Sequence, residues 1–408
     1  VADSRGNGVV EFVAPGGTFD LSGSTGAKTD LVIGRATLQT GNNTVGLIDL
    51  TGGTFNGTLG GVTIAFKEHR DGQSPSTTGT LRYDDGDVTA DSIIVGEGVN
   101  DGTGDGRGLG TLYVGNTATL ETGTISLAIG SSTGSTGTVM QASGLVNLLG
   151  GDVVTGVGTA AWQFTDGRLK DVDQFGLSLT QEGGFLQIGA DNTVDTMTIQ
   201  GDYTQDSGAT LEIDLGTGND TLNVNGEVDL SGDLDLIVAA GFTSPAPLTE
   251  LVIIDNDGAD AVTGQFNGLA EGTIVSLNTG GLADDLFQIS YQGGDGNDVI
   301  LTALGVNATT DISVDGAGNL VIDDIDGSDS DDRLSIRVEG STVVINDPDN
   351  ALGTLINGAS QTTVGEVRID TSLFTGDLII NTNDGDDTIT LGDLTGLPGG
   401  ITVDGGDG

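Results

Sequence analysis

The strongest constraint on the fold is the way in which apolar and polar residues alternate along the chain. Val, Ile and Leu recur at every second position in runs of four to six residues, and Gly, Asn, Asp or Thr interrupts these runs every eight to fifteen residues. A period of two is typical of β-strands with one buried face, and hardly any segment has the 3.6-residue period of a helix. The sequence therefore predicts an all-β protein.

Glycine indicates which β architecture to expect, because 72 of the 408 residues are Gly. Glycine weakens strands entropically, which disfavours a hairpin sandwich, whereas a coil of short strands uses Gly at each corner. One recurring unit is apolar-x-apolar-Gly, as at 93–96, and a second is Gly-Thr-apolar, which begins at Gly79, Gly110 and Gly137 with spacings of 31 and 27 residues. Such imperfect repeats predict a right-handed parallel β-helix, a solenoid whose rungs stack at about 4.8 Å.

The charge of the chain indicates cations as partners. Its net charge is −48, and residues 201–408 hold 38 acidic and 3 basic residues, against 22 and 9 in residues 1–200. Nucleic acid is excluded as a partner because its binding needs a basic surface, whereas divalent cations would reduce the self-repulsion. The chain has no Cys, so disulfides and thiolate metal sites are impossible. No run approaches the roughly 18 apolar residues of a transmembrane segment.

The sharpest chemical signal is a nine-residue motif near residue 300. Residues 293–301 read G-G-D-G-N-D-V-I-L, a full match to the nonapeptide G-G-x-G-x-D-x-U-x of calcium-binding parallel β-rolls. Asp295 and Asp298 are the candidate ligands, and Ile300 is expected to point into the core. Ca²⁺ takes six to eight oxygen ligands, of which one such turn supplies about half. A solvated β-turn without a metal is the alternative.

A weaker version of the motif occurs close to residue 408. Strand-like segments at 378–381, 388–391 and 401–404 indicate a 23-residue repeat of two strands and two turns. The turns predict Ca²⁺ ligands at Asp384, Asp386 and Asp387, and at Asp407 in the next turn, with a plain turn as the alternative. A degenerate copy at 327–335 predicts only a turn at Asp331 and Asp332. Because 405–408 opens another nonapeptide, we expect the natural polypeptide to continue.

Two resemblances extend these patterns. Residues 137–148 and 201–211 resemble the G-x-Y-x-Q-x-x-G-x-x-L rungs of autotransporter passenger β-helices and of related large bacterial surface proteins. The last hundred residues resemble the calcium-binding β-rolls of repeats-in-toxin proteins. The resemblances imply an extracellular or bacterial cell-surface location and three segments. Residues 1–200 form a β-helix with irregular rungs, 201–304 a passenger-terminal-like β-helix segment, and 305–408 β-strand or β-roll repeats, truncated at the end.

We therefore expect a structural protein and not an enzyme. It would be an elongated, calcium-stiffened component of a secreted cell-surface or filament protein, in contact with further repeats or other copies of itself. An adhesin is one alternative, although the few aromatic residues disfavour sugar binding, and Trp162 is expected in the core. A polysaccharide-active enzyme is the second alternative, with Glu68, His69, Arg70 and Asp71 as its mixed charged cluster. The single His and the absence of a phosphate-binding loop disfavour catalysis.

Overall fold

The chain folds almost entirely into β-strands, so the all-β prediction is confirmed. The computed structural model describes residues 7–12, 14–23, 27–37, 43–68, 76–100, 105–257, 260–277, 285–306, 308–325, 331–354, 356, 358–363, 365–383 and 385–405. Helical geometry within these ranges is confined to a 3-10 turn at Thr371–Leu373. In this described part of the chain, no helix is long and apolar enough to cross a membrane.

The first two-thirds of the chain form strands that pair mainly in parallel. These strands are β1 (Asn7–Glu11), β2 (Thr18–Ser22), β3 (Thr29–Ala36), β4 (Thr44–Asp49), β5 (Thr54–Glu68), β6 (Ser76–Tyr83), β7 (Asp87–Val99), β8 (Arg107–Val114), β9 (Thr119–Thr122), β10 (Thr124–Gly130), β11 (Thr136–Gln141), β12 (Leu145–Thr155), β13 (Thr159–Phe164), β14 (Arg168–Phe175), β15 (Leu179–Gln187), β16 (Thr196–Ile199), β17 (Tyr203–Leu215), β18 (Thr221–Val224), β19 (Val228–Leu230), β20 (Asp233–Val238) and β21 (Glu250–Asn256).

Three parallel ladders run through these strands. The first follows β1, β4, β6, β8, β11, β13, β15, β17 and β19. The second begins with β2, β5, β7 and β9, and the third with β3, β5, β7 and β10. The long strands β5 and β7 belong to two ladders each, because they turn a corner midway. This arrangement is compatible with a β-helix.

The register explains why the sequence repeat is irregular. In the first ladder, Leu47, Thr80, Thr111, Thr138 and Ala161 lie side by side. Successive returns to the same position therefore take 33, 31, 27 and 23 residues. The paired strands keep a constant spacing, whereas the length of chain between them varies from one return to the next. A fixed period was consequently absent from the sequence although the stacking is regular.

The core follows the alternation of the sequence. Strand β8 alternates buried and partly exposed residues along its length, and one cluster of buried apolar side chains extends from Leu31 to Ala303. Aromatic rings of neighbouring paired strands pack against each other within it, with 5.8 Å between the ring centroids of Phe19 and Phe55. Trp162 is only 6% exposed, which confirms its predicted place in the core.

Two glycines show why the corners require this residue. Gly96 has a φ of +80°, in the left-handed region that side chains disfavour. At Gly110, an added Cβ would lie 2.4 Å from the backbone nitrogen of Gly96 and 2.6 Å from the carbonyl oxygen of Ile64. Two ladders therefore approach each other backbone to backbone at this corner. The Gly-Thr-apolar unit of the sequence marks that close approach.

Antiparallel pairing enters the large sheet with its last three strands. Strands β22 (Thr263–Gly264), β23 (Ile274–Leu277), β24 (Asp285–Gly293) and β25 (Asp298–Val306) follow β21, and β22 still pairs in parallel with β19. Strand β24 pairs with both β23 and β25, and β25 returns along β21, in each case antiparallel. The large sheet is therefore mixed. An antiparallel strand lying along β21 takes up hydrogen-bonding groups that a further parallel rung would otherwise use.

The remaining residues surround a second core. Its strands are β26 (Thr310–Val314), β27 (Leu320–Asp324), β28 (Ser335–Glu339), β29 (Thr342–Asn346), β30 (Leu352–Thr354), β31 (Ser360–Thr363), β32 (Glu366–Asp370), β33 (Leu378–Asn381), β34 (Thr390–Leu391) and β35 (Ile401–Asp404). They form two five-stranded sheets, in the orders β30-β26-β27-β33-β35 and β31-β32-β29-β28-β34. The buried apolar cluster between Ile312 and Ile380 belongs to these strands. The segment boundaries drawn from the sequence stay predictions.

The 23-residue repeat corresponds to a return of the chain into the same sheet. Leu378 of β33 pairs in parallel with Ile401 of β35, a shift of 23 residues. Strand β34 lies between them in the sequence but belongs to the opposite sheet, where it pairs in parallel with β28. The chain thus alternates between two sheets, with one short strand in each, as the repeat of two strands and two turns predicted.

Candidate metal centre

The full nonapeptide forms the turn of an antiparallel hairpin. Gly293 of β24 pairs with Asp298 of β25, and the amide of Gly296 donates to the carbonyl oxygen of Gly293 at 2.7 Å. Gly294 has a φ of +57°, and an added Cβ there would lie 1.8 Å from Oδ2 of Asp298. The glycines therefore let the Asp298 carboxylate fold back over the turn. Ile300, at 5% exposed, is buried as predicted.

The Asp298 carboxylate already contacts the protein. Its Oδ1 accepts a hydrogen bond from the backbone nitrogen of Asn256 at 3.0 Å, and the neighbouring Asn297 side chain donates to the carbonyl oxygens of Asn256 and Asp260 at 3.0 and 3.2 Å. Burial, and after it the charges of Asp255 and Asp295, raises the pKa of Asp298. Asp295 itself is exposed. The turn therefore anchors the hairpin to the end of β21, and its metal role stays a prediction.

Described parts of the two weaker motifs, residues 331–335 and 385–387, lie next to each other. The backbone nitrogen of Asp332 donates to Oδ1 of Asp387, and that of Asp386 donates to Oδ1 of Asp331, both at 2.9 Å. Each bond joins residues 55 positions apart, the shift that also relates β28 to β34. These two described segments are therefore stacked in the same register. Asp384 and Asp407 lie outside the described residues.

Four carboxylates, which we name the aspartate cluster, meet where β27 and β29 end and where β28 and β34 begin. They belong to Asp324, Asp332, Asp347 and Asp387. The first three residues are 4%, 1% and 0% exposed. Protein groups stabilise part of the cluster, since Asn350 donates to Oδ1 of Asp332 at 2.9 Å. The Oδ2 atoms of Asp332 and Asp387 are both buried without a hydrogen-bond partner. Burying carboxylate oxygens in this way is costly unless a cation or a proton neutralises them.

The electrostatics of the aspartate cluster favour such a neutralising group. Burial, followed by the charges of Asp324, Asp347 and Asp387, raises the pKa of Asp332 to about 7. The nearby Arg333 compensates these charges only in part, because its guanidinium pairs at 2.8 Å with Asp349, which is half exposed, and interacts less strongly with Asp347. Carboxylate oxygens are the ligands that Ca²⁺ prefers. As the side chains stand, however, no three His, Asp or Glu residues in the described ranges are grouped closely enough to hold an ion.

The sequence identified part of this site. It indicated Asp387, and it treated Asp331 and Asp332 only as turn residues. It missed Asp324 and Asp347, which come from strand ends with no motif around them. One sequence feature could have indicated that Asp332 belongs to the same site as Asp387. Both are the sixth residue of a degenerate nonapeptide. Their burial depends on the packing of two sheets and was not visible in the sequence.

The mixed charged cluster predicted at residues 68–71 lies mostly outside the described residues. Glu68 is the last residue of β5, while His69, Arg70 and Asp71 lie outside the described residues. A comparison of the chain with protein-family models, with curated proteins and with solved structures finds no match. The resemblances to autotransporter passengers and to repeats-in-toxin proteins therefore stay predictions.

Proposed function

We propose that this chain is a structural section of a secreted bacterial cell-surface or filament protein. Its N-terminal part would be a right-handed parallel β-helix, and the last hundred residues would be coils stiffened by calcium. The observation that carries the proposal is the set of three parallel ladders around one apolar core. In the first ladder, nine described strands from β1 to β19 stack at about 4.8 Å, which gives a reach of about 40 Å.

The aspartate cluster supports the calcium part of the proposal. It combines buried carboxylate oxygens without partners and an Asp332 whose pKa is raised to about 7. A Ca²⁺ ion would supply the missing positive charge. Extracellular calcium modules bind in the range of about 10⁻⁴ to 10⁻³ M, so occupancy would mark the outside of the cell.

Exposed strand edges support contact with further repeats or copies. Strand β35 is the outer strand of its sheet, and all four of its residues are exposed, with Ile401 at 41% and Val403 at 48%. Leu391 of β34, the outer strand of the opposite sheet, is also 41% exposed. Outer strands with exposed apolar side chains favour the addition of another strand. Another repeat or copy of this protein would cover both edges at once.

Electron microscopy of the purified chain tests the structural role, and a calcium titration tests the stiffening. We expect rods or end-to-end fibres in millimolar Ca²⁺, and compact round particles would contradict the proposal. In circular dichroism melts, we expect the melting temperature to rise from EDTA to millimolar Ca²⁺. An unchanged melting temperature would remove the calcium claim while leaving the coil intact. Equal concentrations of K⁺ and Mg²⁺ serve as controls for simple charge screening.

A further inference from the structure

A cavity of about 430 Å³ lies on the outer side of the coil, against strands β14, β15 and β17. We name it the outer cavity, and its polar lining consists mainly of Arg168, Lys170, Gln187, Asp191, Glu212 and Asp214. Volumes of about 300 to 1,000 Å³ are typical of small-molecule sites. The outer cavity is therefore large enough for one or two sugar units.

The register of three strands builds the floor of this cavity. Lys170, Gln187 and Glu212 occupy neighbouring positions on β14, β15 and β17. Residues one position earlier, such as Leu186 and Leu211, are buried in the core, so the polar row points outward. Asp191, which follows β15, adds a wall over this row. Gln187 and Glu212 consequently are only 6% and 5% exposed although they face away from the core.

Hydrogen bonds hold the polar side chains in fixed positions. Arg168 forms a two-pronged ion pair with Glu212, of which one contact is 3.0 Å, and donates to Oε1 of Gln187 at 2.8 Å. Gln187 and Lys170 both donate to Oδ1 of Asp191, the former at 2.9 Å. Hydrogen-bond donors and acceptors therefore alternate along one wall of the cavity. Because these side chains are already held in place, a ligand can bind to them without a change in their conformation.

One carboxylate oxygen in the lining of the outer cavity lacks a hydrogen-bond partner. Asp214 is 3% exposed, and its Oδ2 is buried without a hydrogen-bond partner. Burial is the main cause that raises the pKa of this carboxyl. A buried acceptor of this kind is stabilised by a donor from outside the chain. The unpartnered oxygen therefore indicates a ligand that donates a hydrogen bond.

An aromatic ring lies beside the same side chains. Phe185 precedes Gln187 by two residues on β15 and is 40% exposed. Its ring centroid lies 4.8 Å from the guanidinium carbon of Arg168, so the ring packs against a residue of the lining although it does not line the cavity itself. A flat, exposed ring offers a surface for the apolar face of a sugar. The low aromatic content of the sequence disfavours sugar binding in general. At this one place, however, an exposed ring lies beside polar side chains and can contact a sugar.

We propose that the outer cavity binds one or two sugar units of a neutral glycan. Sugar hydroxyls both donate and accept, which matches the alternation of carboxylates with guanidinium, ammonium and amide groups. The lining carries three carboxylates and two cationic groups, so an anionic ligand meets net negative charge in a chain of −48. A metal ion is disfavoured by Arg168 and Lys170 within the wall. A structural protein with this site would also bind a glycan.

Ligand-observed NMR with the full-length chain tests this proposal. The probes are the neutral disaccharides maltose, cellobiose, lactose and mannobiose, each at about 10 mM, with digalacturonate and spermidine as charged comparisons. We expect saturation transfer to at least one neutral disaccharide. Binding of none of them would overturn the proposal, as would binding confined to digalacturonate or to spermidine. Electron microscopy of the coil is unaffected by either result, so the structural role is tested separately.

Variants locate the binding. Asp214→Asn should weaken the disaccharide about ten- to hundredfold, because a bond to a charged acceptor is lost. Phe185→Ala should weaken it several-fold, and its exposed side chain makes the fold tolerant of the change. Asp235→Asn is the matched control, since Asp235 continues the row of Glu212 but is exposed and outside the lining. Circular dichroism melts verify folding. If Asp214→Asn does not fold, Phe185→Ala decides, and unchanged affinity in the folded variants overturns the site.

Discussion

The substitution Asp332→Asn probes the aspartate cluster most directly. Asp332 is 1% exposed and faces three other carboxylates, so its ionisation in the folded chain is unfavourable. Asn has the shape of a protonated Asp and cannot ionise. It should therefore imitate the folded state with a proton bound at this position. Replacing the residue removes both its pH dependence and its share of any calcium site.

The raised pKa sets the sign and the size of the effect. The pKa of Asp332 rises from an ordinary 3.8 to about 7, so the folded chain holds a proton that the unfolded chain has lost. The resulting stabilisation is complete below about pH 4 and is lost as the pH rises to about 7. Three pKa units correspond to about 4 kcal/mol, or roughly a thousandfold in an opening equilibrium. In calcium-free buffer at pH 8, Asp332→Asn should therefore be more stable than the parent by about this amount.

Hydrogen exchange of the full chain measures the change in stability near the aspartate cluster. Peptides that cover β28 and β29 report the opening of the strands beside the cluster, after correction for the intrinsic exchange rates. We expect higher protection in Asp332→Asn at pH 8 in EDTA and similar protection at pH 4. Added Ca²⁺ should protect the parent, by about 2.7 kcal/mol at a hundred times the Kd, and the variant much less.

Asp220 supplies a matched control for this experiment. Burial likewise raises the pKa of Asp220 to about 7, but its two oxygens accept hydrogen bonds from the backbone nitrogens of Asp195 and Asp214 at 2.7 and 2.8 Å. Asp220→Asn should change protection near β17 and β18 and leave the response to Ca²⁺ intact. Loss of protection near β28 in Asp332→Asn at pH 8 in EDTA would contradict the raised pKa of Asp332. Equal responses of parent and variant to Ca²⁺ would remove the metal from the cluster.

Further predictions concern the coil, the hairpin and the tyrosines. Gly110→Ala should lower the free energy of unfolding in urea by about 1–3 kcal/mol, because its Cβ would lie 2.4 Å from a backbone atom. Gly208→Ala is the control, since the nearest atom to its Cβ would be 3.6 Å away. Equal losses in the two variants would contradict the close packing at Gly110. Gly294→Ala should displace the Asp298 carboxylate and cost about 1–3 kcal/mol, with raised exchange at Asn256 as the readout. Burial raises the pKa of Tyr83 and Tyr203. In an alkaline titration, the phenolate absorbance of these two residues should therefore appear only when the chain unfolds. The free energy of unfolding should fall above about pH 10, because the unfolded chain then loses protons that the folded chain keeps. Full tyrosine amplitude with an unchanged circular dichroism spectrum would argue against it.

Local patterns in the sequence determined the class of the fold and several of its details. The period of two predicted strands, because successive side chains of a strand point to opposite faces. Repeated glycines marked corners and close approaches, as at Gly96 and Gly110, since these positions admit no Cβ. The 23-residue spacing at the end of the chain matched the pairing of β33 with β35. These features depend on neighbouring residues, so the sequence alone displays them.

Long-range packing decided the rest. The motif at 293–301 forms a hairpin turn because β25 finds β21 as an antiparallel neighbour, a pairing that nine residues cannot specify. The aspartate cluster joins residues up to 63 positions apart, and only the meeting of two sheets buries Asp324 and Asp347 beside Asp332 and Asp387. The outer cavity likewise exists because the register of three strands aligns side chains from different rungs. Burial and charge proximity are properties of the folded chain, and they determine which of the many acidic residues acquire an unusual pKa.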